Sequence, residues 1–79
     1  MNKEYAYGRV RLRIEEILRA KNISKNQVCR DLRLPRTNLN RYCRGDFQRI
    51  DAELICKLCC YLEISPGDLI EYERPPLPE

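Results

Sequence analysis

The sequence contains no histidine or tryptophan, and it has one phenylalanine and one methionine among 79 residues. Histidine is the side chain most often used for proton transfer near neutral pH and for binding metals. No acid pair or nucleophile–base pair stands out in its place, because Asp46, Asp51 and Asp68 are explained as helix caps and surface charges. The sequence therefore favours a protein that is not an enzyme and that needs no metal or other cofactor.

Long apolar runs are also missing. No stretch approaches the roughly 18 apolar residues that a membrane-spanning helix requires. The proportions of hydrophobic (43%) and charged (34%) residues are typical of a soluble globular protein. The N-terminal residues carry charge but lead into no apolar block with a cleavage site, so no signal peptide is indicated. We therefore expect one cytoplasmic domain across residues 1–79, without membrane contact.

The five cysteines are an odd number and follow no secretory signal, so we expect reduced thiols and not a disulfide framework. The Cys56-x-x-Cys59 spacing occurs in zinc sites, but both residues fall inside a predicted helix. There Cys59 shares an apolar face with Ile55, Leu58 and Leu62. A thiol in that position behaves as a small hydrophobic side chain, which favours a structural role over metal or redox chemistry.

The charged residues are unevenly distributed, although the net charge is only +3. Residues 24–49 contain seven basic and two acidic residues, whereas residues 50–79 contain two basic and seven acidic ones. A basic central third is typical of proteins that bind polyanions, and an acidic remainder keeps such a chain soluble. A chance asymmetry on a solvated surface would give the same counts, so the placement of the basic residues has to decide.

Cap and turn signals within the basic third predict two helices joined by a short turn. Ser24, with Gln27 three residues later, is a capping box that begins one helix. This helix ends before Pro35, because a proline disfavours helical geometry in the residue that precedes it. Pro35 then opens the next helix, which ends at Gly45. A turn of about three residues makes the two helices cross steeply, so residues 24–44 are predicted to be a helix-turn-helix.

Three further predicted helices and two candidate strands flank this unit. Apolar spacing predicts a helix over residues 14–22, Asp51 caps a fourth helix, and Ser65-Pro66-Gly67-Asp68 begins a very short fifth one. Residues 10–14 alternate in polarity and are compatible with either a strand or a helix, and residues 69–72 with a strand. If both are strands, each is the simplest partner of the other. The expected fold is all-α with five helices, a core over residues 10–72 and a tail over 73–79.

The third helix carries a polar stripe that suits recognition of DNA bases. Its members share one face, opposite the apolar Leu39 and Tyr42, and they are Thr37, Asn40, Arg41 and Arg44. Arg36 stands at the N-terminal end of this stripe. Arginine donates two hydrogen bonds to guanine, asparagine pairs with adenine, and threonine contacts the thymine methyl group. We therefore predict that Arg36, Thr37, Asn40 and Arg41 contact bases in the major groove of duplex DNA.

Other residues near this stripe are candidates for holding the DNA backbone. Lys25, Asn26 and Gln27 lie at the start of the second helix, where unpaired N–H groups and the helix dipole favour a phosphate. Arg44 and Arg49 bracket the loop after the third helix and would contact the backbone on the other side. Basic helices are often only solvated surfaces, so the spacing alone does not settle the function.

The order of these signals resembles that of lambda-repressor/Cro-like, or Xre-type, helix-turn-helix regulators. The similar segments are residues 23–29, 34–41, 44–45, 55–62 and 65–72, within a span of about residues 10–72. The resemblance implies a lambda-repressor-like fold and a transcriptional regulator, expected to be a repressor, that binds specific double-stranded DNA. It further implies a homodimer on two half-sites, and residence in the bacterial cytosol or nucleoid.

The same resemblance implies a role for individual residues. The family's positions that contact bases or adjoining phosphates are occupied here by Lys25, Arg36, Thr37 and Arg41. The positions that contact the DNA backbone are occupied by Arg44 and Arg49. Arg33 departs from the glycine often found in the turn, and we expect it to adopt a left-handed conformation at some cost. The terminal strands, or the exposed faces of helices four and five, are the candidate dimer contacts. The alternative function is a protein-interaction module, antitoxin-like or adaptor, whose main ligand is another protein.

Overall fold

The computed structural model describes residues 7–76, which contain five α-helices and a two-stranded sheet. In chain order the elements are β1 (Arg9–Leu12), α1 (Ile14–Lys21), α2 (Lys25–Leu32), α3 (Arg36–Arg44), α4 (Ala52–Leu62), α5 (Pro66–Leu69) and β2 (Ile70–Glu73). The expected five-helix fold with a terminal strand pair is therefore confirmed. The outer part of the predicted tail, residues 77–79, lies outside the described residues.

Three of the helices, α2, α4 and α5, begin with a side chain that hydrogen-bonds a backbone N–H at the helix start. The Ser24 hydroxyl accepts from the N–H of Gln27 at 3.1 Å, and the Asp51 carboxylate accepts from the N–H of Glu53 at 3.0 Å. At the start of α5, the carboxylate of Asp68 accepts from the N–H of Ser65 at 3.2 Å. All three caps were predicted from the sequence.

Eleven apolar side chains from β1 and the five helices form one buried core: Leu12, Ile14, Ile17, Leu18, Val28, Leu39, Tyr42, Leu54, Leu58, Leu62 and Leu69. On α4 the buried row differs from the predicted one. Leu54, Leu58 and Leu62 are buried, whereas Ile55 and Cys59 are only partly buried. Residues four apart lie on one helix face, so the three leucines form the row that meets the core, and Ile55 and Cys59 flank it.

The two strands are antiparallel and join the two ends of the described chain. Arg9 pairs with Glu73, Val10 with Tyr72, and Leu12 with Ile70. Residues 10–14 therefore form a strand only as far as Leu12, because Ile14 already belongs to α1. Gly8, just before β1, has a φ of +86°, and a Cβ there would collide with the carbonyl oxygen of Glu73. Glycine thus allows the strands to close at this end.

The sheet has one charged and one apolar face, since side chains alternate along a strand. On the charged face Arg9 pairs with Glu73 at 2.6 Å, and Arg11 pairs with Glu71 across the strands and with Glu16 on α1 at 2.6 Å. The apolar face carries Leu12 towards the core. Two of these ion pairs join the strands to each other, and the pair of Arg11 with Glu16 joins the sheet to the first helix.

The turn between α2 and α3 depends on Arg33. This residue has φ 57° and ψ 47°, as expected from its position, and Leu34 then donates its N–H to the carbonyl of Cys29 at 2.9 Å. Pro35 is the N-cap of α3 and not, as predicted, its first helical residue. Its φ suits both positions, but its ψ of 137° is extended, and its carbonyl accepts from the N–H groups of Asn38 and Leu39.

Candidate nucleic-acid interface

The third helix presents the predicted polar stripe to solvent. Leu39 and Tyr42 are buried against the core, which orients the opposite face outwards. On that face Arg36, Thr37, Arg41 and Arg44 are exposed, and Asn40 is half-buried. No acidic residue lies between Arg36 and Arg44. One continuous helix thus carries all four predicted base-contacting residues on an accessible, basic surface.

Arg36 connects the beginnings of α2 and α3. Its guanidinium donates to the side-chain oxygen of Asn26 and, through Nε, to the side-chain oxygen of Asn40 at 3.5 Å. Both amides therefore accept from Arg36 through their oxygen atoms, and their NH2 groups take no part in these two bonds. The sequence placed Asn26 and Arg36 in different roles, whereas the structure makes them neighbours with Asn40 in one hydrogen-bonded group.

Arg41 is positioned by an aromatic pair. Its guanidinium carbon lies 5.2 Å from the centre of the Tyr42 ring, within the range of cation–π attraction. Tyr42 in turn packs on Phe47, with 5.3 Å between the ring centres. Phe47 lies in the loop between α3 and α4. Tyr42 therefore contacts both this loop and the predicted base-contacting Arg41.

The two flanking residues predicted at the start of α2 make contacts within the protein. Lys25 Nζ lies 2.5 Å from a carboxylate oxygen of Glu15 on α1, and only 25% of the lysine side chain is exposed. This hydrogen bond lowers the pKa of Glu15. Lys25 is therefore directed towards α1, and its charge is partly neutralised there.

Gln27 lies on the side of α2 that meets α4. Tyr61 on α4 donates its hydroxyl to Asp31 at 2.5 Å. The hydrogen bond to Asp31 raises the pKa of Tyr61, while a hydrogen bond with the side chain of Gln27 opposes this shift. The N–H of Gln27 therefore donates to the Ser24 hydroxyl, as the predicted capping box requires, and the side chain of Gln27 hydrogen-bonds Tyr61.

Arg44 and Arg49 lie on either side of the bend after α3. Arg44 is exposed, with Asp46 at 3.8 Å, and Arg49 is exposed in the loop before α4. A depression of about 490 Å³ next to this bend is lined by Arg41, Arg44 and also Arg9. Arg9 was not predicted as a functional residue, because it reaches α3 only through the packing of β1. The alternating Arg9, Arg11 and Arg13 are the sequence signal that could have drawn attention to it.

Cys29 lies on α2, Cys43 lies on α3 next to Arg44, and the other three cysteines lie on α4. All five are free thiols, and within residues 7–76 no three potential ligands are grouped as a metal site would require. Burial raises the pKa of Cys43 and of Cys59, whereas Cys56 and Cys60 are exposed on α4. In the same part of the chain, no helix has the length and apolar character to cross a membrane.

The family assignment agrees with this geometry. Residues 13–75 match the model of the Cro/C1-type HTH DNA-binding domain, which covers the helices and β2. The chain belongs to the Cro/C1-type helix-turn-helix family. Membership assigns it binding of double-stranded DNA and, with that, a role in transcription regulation.

A solved structure has the same fold. This structure is of a protein from Bacteroides fragilis that is provisionally described as DNA-binding. The two chains superpose with a TM-score of 0.69 and share 19% sequence identity, over 78% of this chain and 98% of the other. No curated protein shows significant similarity to this sequence. The structural likeness therefore supports the fold, and the family match supports the binding of DNA.

Proposed function

We propose that this Cro/C1-type protein is a sequence-specific transcriptional repressor, acting without catalysis, that inserts α3 into the major groove. The supporting observation is the exposed face of α3, which carries four potential base-contacting side chains and no acid. In this family of motifs, residues at the N-terminal part of the second helix reach base edges. Arg36, Thr37, Asn40 and Arg41 are the proposed base contacts.

The proposed backbone contacts fall into two groups. Asn26, Arg44 and Arg49 have exposed side chains and would bind phosphates directly. Lys25 and Gln27 have side chains engaged with Glu15 and Tyr61, so their part in holding DNA is to shape the start of α2. There the N–H groups of Lys25 and Asn26, in the first turn, provide the donors for a phosphate.

Repression requires less of the protein than activation does. A regulator that occupies its site in the groove excludes other proteins from that DNA, whereas an activator also needs a surface for the transcription machinery. A single α3 contacts few base pairs, so two copies on two half-sites would supply the specificity. We therefore propose a homodimer acting at the nucleoid, in the cytoplasm.

The test is selection of bound duplexes from a random DNA library, followed by salt titrations on a selected and an unrelated duplex. We expect an enriched sequence with two related half-sites, and a steep fall of affinity with salt that reflects several phosphate contacts. Asn38→Ala, on a flank of α3, serves as a matched control for Asn40→Ala, which we expect to lose preference for the selected sequence. Absence of binding to every duplex at low salt would refute the proposal and favour a protein ligand.

A further inference from the structure

Two depressions adjoin each other beside the end of α3, and they differ in chemistry. The first, which we call the aromatic groove, has a volume of about 640 Å³ and is lined by Tyr7 and Tyr72 at the outer end of the sheet. The second is the depression of about 490 Å³ lined by Arg41 and Arg44, which we call the arginine depression. The residues that line both are Arg9, Gly45, Phe47 and Gln48. A single ligand can therefore occupy the two together.

The two tyrosines expose aromatic rings at the groove. Tyr7 is 88% exposed and Tyr72 is 58% exposed. Tyr72 is held in place, because its hydroxyl donates to the carbonyl oxygen of Tyr7 at 2.6 Å. Its ring also lies against Gly8, where a Cβ would come within 2.9 Å of the ring carbon Cε1. A ring that is fixed and open to solvent is a surface on which a second aromatic group can stack.

The shape and lining of the aromatic groove suit a flat, small ligand. On the side of the loop after α3, the groove is lined by Phe47 and Ile50, so apolar side chains lie on both sides. Sites for small molecules have volumes of about 300–1,000 Å³ and combine apolar walls with a few polar groups. Every nucleic-acid base has a π face that stacks on aromatic side chains. A base is therefore a ligand that this groove fits.

The arginine depression suits a phosphate, which arginine binds through two parallel hydrogen bonds. Glu73 already pairs with Arg9 at 2.6 Å, so the charge for an anion comes from Arg41 and Arg44. Asp46 also lines the depression, and its carboxylate lies 3.8 Å from Arg44. Among the described residues, two arginines then face one acid, which leaves a net positive lining.

The carbonyl groups at the end of α3 oppose this anion only weakly. The C-terminal end of a helix is ordinarily unfavourable for a negative charge. Here the N–H groups of Gly45 and Asp46 donate to the carbonyl oxygens of Tyr42 and Arg41, at 3.2 and 3.0 Å. Because these oxygens already have donors, the arginine side chains set the sign of the potential.

We propose that the aromatic groove and the arginine depression together form a binding site for a free nucleotide. The base stacks on Tyr7 and Tyr72, and the phosphate is bound by Arg41 and Arg44. A free nucleotide is favoured over a base of the bound DNA. A base in a duplex has to be unpaired and unstacked before it can reach the groove, which costs free energy.

Occupancy of this site makes DNA binding responsive to the nucleotide. Arg41 is a proposed base contact and Arg44 a proposed backbone contact, so a bound phosphate competes with DNA for both. The coupling is reciprocal, so DNA weakens the binding of the nucleotide by the same factor. This competition rests on the proposed function, whereas the binding of the nucleotide itself does not.

The experiment is an NMR titration of the isotope-labelled full-length chain without DNA. The probes are adenosine 5′-monophosphate, adenosine, which lacks the phosphate, and ribose 5-phosphate, which lacks the base. We expect adenosine monophosphate to shift the signals of Gly45, Gln48 and Tyr72. It should bind about tenfold more tightly than either fragment, because each fragment uses one part of the site.

Two pairs of variants test the two parts of the site. Tyr7→Ser should weaken the binding of adenosine monophosphate about tenfold, whereas Tyr7→Phe, which keeps the ring, should not. Arg44→Gln should remove the advantage of adenosine monophosphate over adenosine. Arg30→Gln is its control, since Arg30 lies on α2 with a side chain that is 75% exposed and lines neither depression. Circular dichroism shows whether each variant keeps its fold.

The comparison of the three probes uses the wild-type chain, so it decides the proposal even if a variant does not fold. Absence of specific shifts at millimolar adenosine monophosphate would overturn the proposal. Equal affinity for adenosine monophosphate and ribose 5-phosphate would also overturn it, because the site would then bind only an anion.

The competition is tested by fluorescence anisotropy with the selected duplex. Adenosine monophosphate should weaken DNA binding by the wild-type chain, and have less effect on Tyr7→Ser. Nucleotide binding that leaves the affinity for DNA unchanged refutes the competition and retains the site. A chain that selects a DNA sequence but binds no nucleotide refutes the site and leaves the proposed function intact.

Discussion

Arg36 donates a hydrogen bond to Asn26, so the first residue of α3 is joined to the second residue of α2 across the turn. The bond fixes a long, otherwise mobile side chain near the place where the major groove would lie. Fixing a side chain before binding lowers the entropy that binding has to remove. The turn of the helix-turn-helix and the proposed base contact are therefore coupled through this pair.

We expect Asn26→Ala to weaken binding to the selected duplex several-fold, because Arg36 loses the partner that orders it and the DNA loses a proposed phosphate contact. Stability should change by no more than about 0.5 kcal/mol, since the position is exposed. Fluorescence anisotropy with the selected duplex, alongside urea unfolding, measures both quantities. As the control, Asn38→Ala removes another exposed asparagine side chain, this one on α3, and should leave the affinity unchanged. An equal loss for the two variants would contradict the role of the pair.

We expect Arg41→Ala and Arg49→Ala to affect binding differently. Removing a base-contacting arginine costs about 1–3 kcal/mol on the best site and relaxes preference at one base pair, whereas removing a phosphate contact weakens all duplexes alike. Competition between the selected and an unrelated duplex separates the two effects. Equal losses on both duplexes for Arg41→Ala would assign it to the backbone. Thermal unfolding shows whether the lost contact with Tyr42 also changes the stability of the fold.

Three helices end at non-glycine residues with positive φ, namely Asn22, Arg33 and Glu63. A left-handed conformation is unfavourable for such residues, less so for asparagine. We expect Arg33→Gly and Glu63→Gly each to raise the free energy of unfolding by about 0.5–1 kcal/mol, after the greater freedom of glycine in the unfolded chain is subtracted. Asn22→Gly should gain less. Urea unfolding of the three variants measures the series, and a loss at Arg33 would mean that its side chain stabilises the turn.

Acid should destabilise the fold through Glu15. The hydrogen bond from Lys25 lowers the pKa of this carboxyl below its ordinary value of 4.5. A group with a lower pKa in the folded state stabilises the protein above that ordinary value, and the contribution is lost as the pH falls through the folded pKa. Urea unfolding at a series of pH values should show this loss in wild type and a smaller loss in both Glu15→Gln and Lys25→Met. Identical pH profiles for all three proteins would rule the pair out as the cause.

The thiols should react with iodoacetamide in an order set by exposure and pKa. The reagent attacks the thiolate, so a raised pKa and burial both slow the reaction. Cys56 and Cys60 are exposed, whereas burial raises the pKa of Cys43 and Cys59. Mass spectrometry of the folded chain at mildly alkaline pH should find label first on Cys56 and Cys60. Labelling in urea should remove the difference, and rapid labelling of Cys43 in the folded chain would contradict its burial.

The features that could be predicted from sequence depend on neighbouring residues. The caps at Ser24, Asp51 and Ser65 need only a side chain and a backbone N–H that are two or three positions apart. The polar stripe of α3 follows from helical spacing alone. These local signals are sufficient to predict the helix-turn-helix and to propose its base contacts.

The features that could not be predicted depend on residues far apart in the chain. Residues 10–14 have no local property that distinguishes strand from helix, and only their pairing with β2 decides the outcome. The contacts of Lys25 with Glu15 and of Gln27 with Tyr61 require the packing of α2 against α1 and α4. The proximity of Arg9 to α3 likewise depends on where β1 packs.

The pairing of β1 with β2 constrains the order in which the protein can be completed. Arg9 and Glu73 are 64 positions apart, so β1 emerges from the ribosome long before its partner strand has been translated. The contacts between α2 and α3 need no residue beyond the loop that follows them, and they can form earlier. The pairs of Val10 with Tyr72 and of Leu12 with Ile70 exist only after β2 has joined β1. Nascent chains would therefore present α3 before the strands at the two ends of the fold have paired.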